Sequence, residues 1–289
     1  MHRVSNYIDK GACLYLVPTP IGNYLDMTYR SVEILNSVNY IYAEDTRVTK
    51  VLLSHFNIKT PLLAYHAFNE HDAFQDILEK LESGMDIAVV SDAGMPCISD
   101  PGFLISREAK KAGFRVIALP GASASLTALV GSGMENERFY FVGFLNRKSN
   151  QRKKEIEEFR DYKNTIIIYE APHRINETIR DLYEVLGDRH IVIARELTKH
   201  YEEYIDSSLE ELSNESLELK GEMVLIIEGS TSSKFQEDLN KLDILAHLKY
   251  YMDLGITEME AKKIVAKDLG VSKSVVYKEI NDARNKSLS

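Results

Sequence analysis

The sequence has few cysteines and no long apolar run, and both absences narrow the classes of protein that it can represent. Its two cysteines, Cys13 and Cys97, are far apart and lack the spacing of a zinc site or a disulfide framework. We therefore expect no metal. No apolar stretch approaches the roughly 18 residues that a membrane span needs, and residues 1–10 lack the apolar core of a signal peptide. These absences predict a cytoplasmic protein without a membrane partner.

Basic residues are outnumbered by acidic ones, 35 to 44, which gives a net charge of −9. This balance argues weakly against a surface that wraps nucleic acid, since phosphate binding needs a positive field. One stretch of the chain is basic in spite of the acidic net charge. Residues 147–154, which we call the basic strip, hold five cations and no acid: Arg147, Lys148, Arg152, Lys153 and Lys154. The strip is either an RNA-binding surface or a solvated loop that leads into a helix.

Short apolar runs rich in β-branched residues alternate with helical patterns along most of the chain, which is typical of an α/β protein. The length of 289 residues favours two such domains. We predict an N-terminal α/β domain over residues 1–122 and a second α/β domain over 123–232. Seven predicted strands lie at residues 14–17, 40–43, 87–90, 116–119, 165–169, 191–194 and 223–227. The Gly- and aromatic-rich segment 131–150 is interpreted as the linker between the two halves.

The C-terminal segment, residues 240–289, has a different pattern. Thr257 with Glu260 forms a capping box, Gly270 is a helix stop, and Val276 and Ile280 continue an apolar face in a second helix. This spacing predicts a helix-turn-helix. Such a unit can read DNA, but the second helix carries few cations, so a small packing or RNA-contacting module is the favoured interpretation.

A glycine-rich phosphate loop is also missing. The first predicted strand runs into Pro18 and Pro20, which cannot donate backbone hydrogen bonds, so a dinucleotide fingerprint is excluded there. Two further loops follow strand ends, where open α/β sheets bind ligands. Residues 91–102 contain Asp92 and Asp100, which either serve a ligand or cap turns, and residues 119–125 are rich in small side chains.

Five motifs in this order resemble the ribosomal RNA small subunit methyltransferase I family of tetrapyrrole-methylase-like enzymes. They are Pro-Thr-Pro-Ile-Gly-Asn at 18–23, Ala-Glu-Asp-Thr-Arg at 43–47, Ser-Asp-Ala-Gly-Met-Pro at 91–96 with Ser-Asp-Pro-Gly at 99–102, Pro-Gly-Ala-Ser at 120–123, and Tyr-Glu-Ala-Pro-His-Arg at 169–174. The resemblance implies two α/β domains with S-adenosylmethionine in the cleft between them, a helix-turn-helix extension, and a homodimer. It also implies 2′-O-methylation of a cytidine in small-subunit (16S) ribosomal RNA, with that RNA or the small ribosomal subunit as partner.

The resemblance further implies which residues bind the cofactor. The candidates lie in the three loops and at two strand ends of the second half: Pro20, Ile21, Gly22, Asp92, Ala93, Gly94, Met95, Ser123, Ala124, Tyr169, Ala171, Glu222, Met223 and Val224. A carboxylate such as Asp92 suits a ligand that carries a sulfonium charge and ribose hydroxyls.

Methyl transfer to a ribose oxygen needs orientation and a group that takes the proton. Glu44, Asp45 and Arg47 are the catalytic candidates, with a carboxylate as base and Arg47 as a charge-pairing group. The alternative is a helix start in which Asp45 is the cap and Arg47 its ion-pair partner. His173 and Arg174 either contact phosphate or form a turn with a helix cap, and we add them to the basic strip as RNA-binding candidates.

Two other functions fit the same organisation. One is methylation of a tetrapyrrole or another small molecule on the same scaffold, which the basic strip disfavours. The other is a DNA-binding regulator that senses a small ligand in the α/β body. A regulator would bind its ligand without turning it over.

Overall fold

The computed structural model describes residues 11–65, 70–99, 103–231 and 239–286, and within them the chain forms two five-stranded sheets followed by three helices. This arrangement confirms the predicted α/β class with a helical C-terminal extension. Asp100, Pro101 and Gly102 of the third motif lie outside the described residues.

The first sheet is entirely parallel and has the strand order β3-β2-β4-β1-β5. Its strands are β1 (Cys13–Val17), β2 (Tyr40–Ala43), β3 (Leu62–Ala64), β4 (Ile87–Val90) and β5 (Arg115–Ala118). Its helices are α1 (Tyr29–Ser37), α2 (Thr46–His55), α3 (Glu70–Glu82) and α4 (Phe103–Lys111), with a short 3-10 helix at Tyr24–Asp26. Helix α5 (Ala124–Ser132) follows β5 but packs against the second sheet.

The apolar runs of this sheet are explained by helices that cover both of its faces. All four residues of β4 are buried, as expected for a strand with a hydrophobic layer on each side. Leu14 points into one layer with Ile87 and Ile105, whereas Cys13 points into the other with Leu35 and Ala88.

The second sheet is mixed and has the strand order β6-β7-β10-β8-β9. Its strands are β6 (Phe139–Phe144), β7 (Thr165–Glu170), β8 (His190–Arg195), β9 (Glu203–Ser208) and β10 (Met223–Ile227). Strand β6 is parallel to β7, and every other pair is antiparallel. Its helices are α6 (Ser149–Glu158), α7 (Ile175–Leu186) and α8 (Leu209–Asn214).

The linker interpretation of residues 131–150 was wrong. That segment contains β6, an edge strand with a register shift between Phe141 and Gly143, where Gly143 has a φ of 78°. Its aromatic and glycine residues resemble loop composition, yet five of them pair with β7: Phe139, Tyr140, Phe141, Gly143 and Phe144. Strands β3 and β9 were also not predicted, because β3 has three residues and β9 carries polar side chains.

A shared hydrophobic cluster joins the two sheets. Ile21, from the loop after β1, packs with Leu197 and Val224 of the second sheet and with Ala128 of α5. Ile21, Leu197 and Val224 also line a cavity between strand ends of the two sheets.

The C-terminal helices are α9 (Ile244–Asp253), α10 (Glu258–Asp268) and α11 (Lys273–Lys286). Thr257 is the N-cap of α10, as predicted: its hydroxyl accepts a hydrogen bond from the Glu260 amide at 3.4 Å and donates one to the Glu260 carboxylate at 2.8 Å. Gly270 has a φ of 62° after α10. Val265, Val276 and Ile280 share a separate small core.

Each helix within residues 11–65, 70–99, 103–231 and 239–286 is too short or too polar to cross a lipid bilayer. The same ranges hold no group of three or more His, Cys, Asp or Glu side chains placed to bind a metal ion.

Candidate active site

A cavity of about 360 Å³ lies between strand ends of the first sheet and strand ends of the second, and we call it the main cavity. Loops after β1, β4 and β5 line it from the first half, and residues at the ends of β6, β7, β8 and β10 line it from the second. The lining residues are Ile21, Asp92, Ala93, Gly94, Met95, Ile98, Ser99, Ser123, Ala124, Phe144, Tyr169, Glu170, Ala171, Pro172, Glu196, Leu197, Lys199, Glu222, Met223 and Val224.

Mixed strand direction explains why the second sheet supplies three strand ends at one edge. Met223, the first residue of β10, pairs with Glu170 at the end of β7 and with Arg195 at the end of β8. Because β10 is antiparallel to both neighbours, its beginning lies beside their carboxyl ends. Segments 169–172, 196–199 and 222–224 therefore face the same cavity.

The proline-rich loop after β1 is held against the loop after β4. Thr19 and Gly94 exchange backbone hydrogen bonds of 3.0 and 2.9 Å, and the Thr19 hydroxyl donates to the Ser91 carbonyl at 3.0 Å. Gly94 has a φ of 76°, a conformation that favours glycine. The two loops thus form one rigid wall of the main cavity.

Gly121, in the loop after β5, is explained by the close approach of that loop to the loop after β1. A Cβ atom on Gly121 would lie 2.5 Å from the Pro18 side chain, so a larger residue would push the loops after β1 and β5 apart. Pro18 is buried. The small residues of 119–125 therefore permit contact between loops here.

Carboxylates dominate the electrostatics of the main cavity. Asp92, Glu170, Glu196 and Glu222 line it, and Glu170 is 2% exposed. The Glu170 carboxylate accepts hydrogen bonds from the Ala171 amide and the Thr178 hydroxyl and lies 3.3 Å from Arg174. Such a cavity suits a cationic ligand, because opposite charges attract more strongly where water is partly excluded.

Backbone strain is concentrated in the two loops beside this cavity. In the described part of the chain five non-glycine residues have positive φ, and four of them are Cys97, Ser99, Glu196 and Thr198, with φ of 71°, 61°, 50° and 65°. Left-handed conformations of this kind are sparsely populated and cluster at ligand sites. The strain supports a functional role for the loops after β4 and β8.

A second, smaller cavity of about 290 Å³ adjoins the first, and we call it the side pocket. Its lining is Thr19, Pro20, Ile21, Gly22, Tyr24, Val48, Thr49, Leu52, Ser91, Asp92, Ala93, Lys199 and Glu222. Five residues line both cavities: Ile21, Asp92, Ala93, Lys199 and Glu222. We call the place where they meet the junction.

Helix α2 begins at the rim of the side pocket, and its first turn carries the predicted catalytic residues. Asp45 is the N-cap and accepts from the Arg47 amide at 2.8 Å, while its own amide donates to Asp92 at 3.0 Å. The Arg47 guanidinium bonds both Asp45 oxygens at 3.0 and 2.6 Å, and its side chain is 89% exposed. Glu44 is half-buried before them.

This geometry weakens Asp45 as a proton acceptor. The hydrogen bonds from the Arg47 side chain and amide lower the pKa of Asp45 to about 2. A general base works best when its pKa lies near the working pH. The helix-cap alternative therefore describes the structural role of Asp45, while Arg47 remains available to a substrate at the rim.

The structure places nearly all of the predicted cofactor residues around one space. Every one lines the main cavity except Pro20 and Gly22, which line the side pocket. Sequence reasoning missed the remaining lining residues, which are Ile98, Ser99, Phe144, Glu170, Pro172, Glu196, Leu197 and Lys199. Glu170 and Pro172 stand inside a quoted motif, but 196–199 follow a strand whose end was not singled out.

The structure contradicts the prediction that Arg152 binds RNA. Its side chain is 0% exposed, and its Nε lies 2.7 Å from Asp181, so it cannot contact RNA. Lys153 is partly covered and bonds Glu184, whose carboxylate raises the pKa of Lys153. The strip is therefore in part a structural ion-pair network between α6 and α7.

Arg174 also has internal partners. Its guanidinium donates to the carbonyls of Leu145 and Asn146 at 2.8 and 3.1 Å, which ties the segment after β7 to the segment after β6. Exposed cations remain beside this tie: Arg147, Lys148 and Lys154, together with the exposed His173. Phe144 and Pro172 line the main cavity. Arg147, Lys148 and His173 follow them within four residues of the chain, whereas Lys154 lies on α6.

Comparison with known sequences gives relatives along most of the chain. A family model described as "Tetrapyrrole (Corrin/Porphyrin) Methylases" matches residues 13–213. The chain is 47% identical over 270 residues to a Bacillus subtilis protein named ribosomal RNA small subunit methyltransferase I, covering 91% of this chain and 92% of the relative. A Haemophilus influenzae protein of the same name is 43% identical over 277 residues, covering 93% and 96%.

Solved structures share the fold at lower identity. A uroporphyrin-III C-methyl transferase from Thermus thermophilus complexed with S-adenyl homocysteine has a TM-score of 0.57 and 15% identity, covering 75% of this chain and 97% of that one. A diphthine synthase has a TM-score of 0.59 and 17% identity, covering 77% and 92%. The two five-stranded sheets are thus a known architecture.

Proposed function

Because the chain belongs to the tetrapyrrole methylases and, within them, to the ribosomal RNA small subunit methyltransferase I family, we propose that it methylates the 2′-oxygen of a cytidine ribose in small-subunit ribosomal RNA. The observation that carries this proposal is the convergence of the motif residues on one acidic cavity that opens into a side pocket. A methyl donor in the main cavity and a ribose acceptor in the side pocket would meet at the junction.

The main cavity fits S-adenosylmethionine by size and charge. Its volume of about 360 Å³ lies in the usual range of ligand pockets, roughly 300–1,000 Å³. When bound, S-adenosylmethionine supplies a methyl group on a positively charged sulfur. Asp92 and Glu196 would balance that charge, and the small side chains of Gly94, Ser123 and Ala124 leave the backbone accessible to the ligand.

The side pocket fits a nucleoside better than a long polar chain. Tyr24, Val48 and Leu52 give it an apolar wall on which a base can stack. Arg47 is exposed at its rim, where a guanidinium can bind an RNA phosphate. We assign Arg47 the positioning of the substrate, and Glu44 and Asp45 the support of that helix start.

The exposed part of the basic strip would dock the rest of the RNA. Arg147, Lys148 and His173 lie on the two segments that Arg174 joins, and Lys154 lies on α6, which follows the first of them. Each phosphate contact contributes close to one unit to the slope of log affinity against log salt. The acidic remainder of the surface would keep the RNA at this rim.

We also propose a homodimer. Helix α5 carries Leu126 and Val130 at 49% and 72% exposure. The two side chains lie on one side of the helix, at a spacing of four residues. Apolar faces of this kind commonly mark a protein interface, and a two-fold pair would double the phosphate contacts.

The test is incubation of unmodified small ribosomal subunits with labelled S-adenosylmethionine, followed by mapping of the modified nucleotide. Label on one cytidine 2′-oxygen is the expected result. The triple variant Arg147→Ala, Lys148→Ala, Lys154→Ala should bind subunits more weakly and with a flatter salt slope, and a variant with Lys59→Ala is the matched control. Label on a base, or transfer to a small tetrapyrrole instead of RNA, would contradict the proposal.

A further inference from the structure

Lys199 lies at the junction of the two cavities, and nothing in the quoted motifs singled it out. Among the described residues that line either cavity, Lys199 is the one cation. Its ammonium lies 3.0 Å from Glu196 and 3.7 Å from Glu222. Its side chain is 33% exposed, so it is accessible to a ligand from the open side.

The surrounding backbone fixes the position of Lys199. The turn that carries it has positive φ at Glu196 and Thr198, and a threonine in that region is a clear outlier. Gly22 makes room for the Lys199 stem, because a Cβ on Gly22 would lie 2.6 Å from Lys199 Cγ. A strained turn against a glycine from another loop places one ammonium group with little freedom.

Charge balance argues for a role in chemistry as well as in structure. Glu196 and Glu222 balance the Lys199 ammonium, so it can lie beside a cationic ligand, and its three N–H donors allow it to bond a further group as well. An oxygen that loses its proton during attack develops negative charge, and a fixed ammonium stabilises such charge. Glu222 lies beside Lys199 with a side chain that is 83% exposed, so it can pass a proton to water.

We propose that Lys199 is a catalytic residue that hydrogen-bonds the attacking ribose 2′-oxygen, and that Glu222 takes the hydroxyl proton. In that step the bond from the 2′-oxygen to the methyl carbon forms as the sulfur–carbon bond breaks. Sulfur keeps the electron pair and becomes neutral, and the proton leaves the oxygen for the Glu222 carboxylate. This inference rests on the proposed function and adds the groups that act on the oxygen.

The experiment compares Lys199→Met and Lys199→Arg with the wild-type protein on small ribosomal subunits. Single-turnover methyl transfer at saturating subunits should fall roughly a hundredfold or more in Lys199→Met, as for loss of a general acid–base group. Lys199→Arg should recover part of the rate because it keeps a donor. Glu222→Gln should also lower the rate, because the amide cannot take the hydroxyl proton.

A binding measurement separates catalysis from structure. Affinity for S-adenosylhomocysteine, measured by calorimetry, should change less than about threefold in Lys199→Met, because the neutral product carries no sulfonium charge to respond. The control is Lys220→Met, an exposed lysine near Glu222 that lines neither cavity. It should leave both quantities unchanged.

Two outcomes would overturn the inference. A normal rate in Lys199→Met excludes a catalytic role, and a rate loss matched by an equal loss of S-adenosylhomocysteine affinity assigns Lys199 to the structure of the turn. If the wild-type protein does not label a ribose oxygen at all, the proposed function fails instead, and the variants are not needed to show it.

Discussion

At the scale of single residues, Asp92 is a carboxylate at the junction of the two cavities. It lines both cavities, and its Oδ1 accepts the Asp45 amide at 3.0 Å. Because a hydrogen bond to a charged group contributes roughly 1.5–3 kcal/mol, Asp92→Ala should weaken S-adenosylmethionine binding about tenfold or more. Calorimetry measures this, with Asp26→Ala on the 3-10 helix as control. Equal affinity in the two variants would reduce Asp92 to a loop cap.

Arg47 and Asp45 lead to a different expectation. Arg47→Ala should depress methyl transfer at saturating subunits while S-adenosylmethionine affinity stays unchanged, because Arg47 touches the side pocket's rim and lines neither cavity. Lys50→Ala, an exposed cation on the same helix, is the matched control. A loss of cofactor affinity equal to the loss of rate would place Arg47 in the cofactor site instead.

The pH dependence of Asp45 follows from its lowered pKa. The folded pKa of about 2 lies below the ordinary value of 3.8, so its contribution to stability is present above about pH 4 and is lost as pH falls toward 2. Asp45 therefore stays ionised throughout the range of an enzyme assay. Asp45→Asn should leave the shape of the pH–rate profile between pH 5 and 9 unchanged. A shifted acidic limb would show that Asp45 titrates during turnover.

At the scale of elements, the ion-pair network between α6 and α7 gives a stability prediction. Removing Arg152 leaves Asp181, 6% exposed, without its principal cation, and breaking a buried pair costs roughly 3–5 kcal/mol. Arg152→Ala should lower the free energy of unfolding by that amount in a urea titration. Lys154→Ala on the same helix should change it by less than about 0.5 kcal/mol. Similar values for both variants would contradict the assigned network.

Sequence patterns predicted the buried elements well and the amphipathic or short ones poorly. Strands such as β4 and β10 are apolar on both faces, so their runs are visible without knowledge of the fold. Strand β9 carries Glu203 and Asp206 and is stabilised by its ladder with β8, which no local pattern encodes. The basic strip lies partly on α6, where helical periodicity buries Arg152 and exposes Lys154. The run of cations in the sequence does not show this difference.

The candidate site shows the same limit. Loop motifs indicated the residues that line the main cavity, because strand ends and turn residues are visible in sequence. Lys199 was missed because its position depends on β8 ending beside the beginning of β10. That contact is a property of the sheet order. Likewise, no pattern along the chain places Gly22 against the Lys199 stem.

At the scale of the whole molecule, the proposed homodimer can be tested through the exposed face of α5. Val130 is 72% exposed, and Val130→Glu would introduce a charge into an apolar interface, which is costly when buried. We expect sedimentation at micromolar concentration to give a dimer for the wild-type protein and a monomer for the variant. Glu137→Lys, an exposed change outside α5, is the control. A wild-type monomer with full activity would remove the proposal.

The strained backbone beside the main cavity has a consequence for engineering. Ser99 and Thr198 hold left-handed conformations that glycine adopts without cost. Ser99→Gly or Thr198→Gly should therefore raise the melting temperature when the strain relieved exceeds the entropy that glycine adds to the unfolded chain. The same change would let the cavity wall sample other shapes, so ligand affinity should fall. A variant library selected for heat resistance alone would drift toward glycine at these two positions and lose the enzyme's activity as it did so.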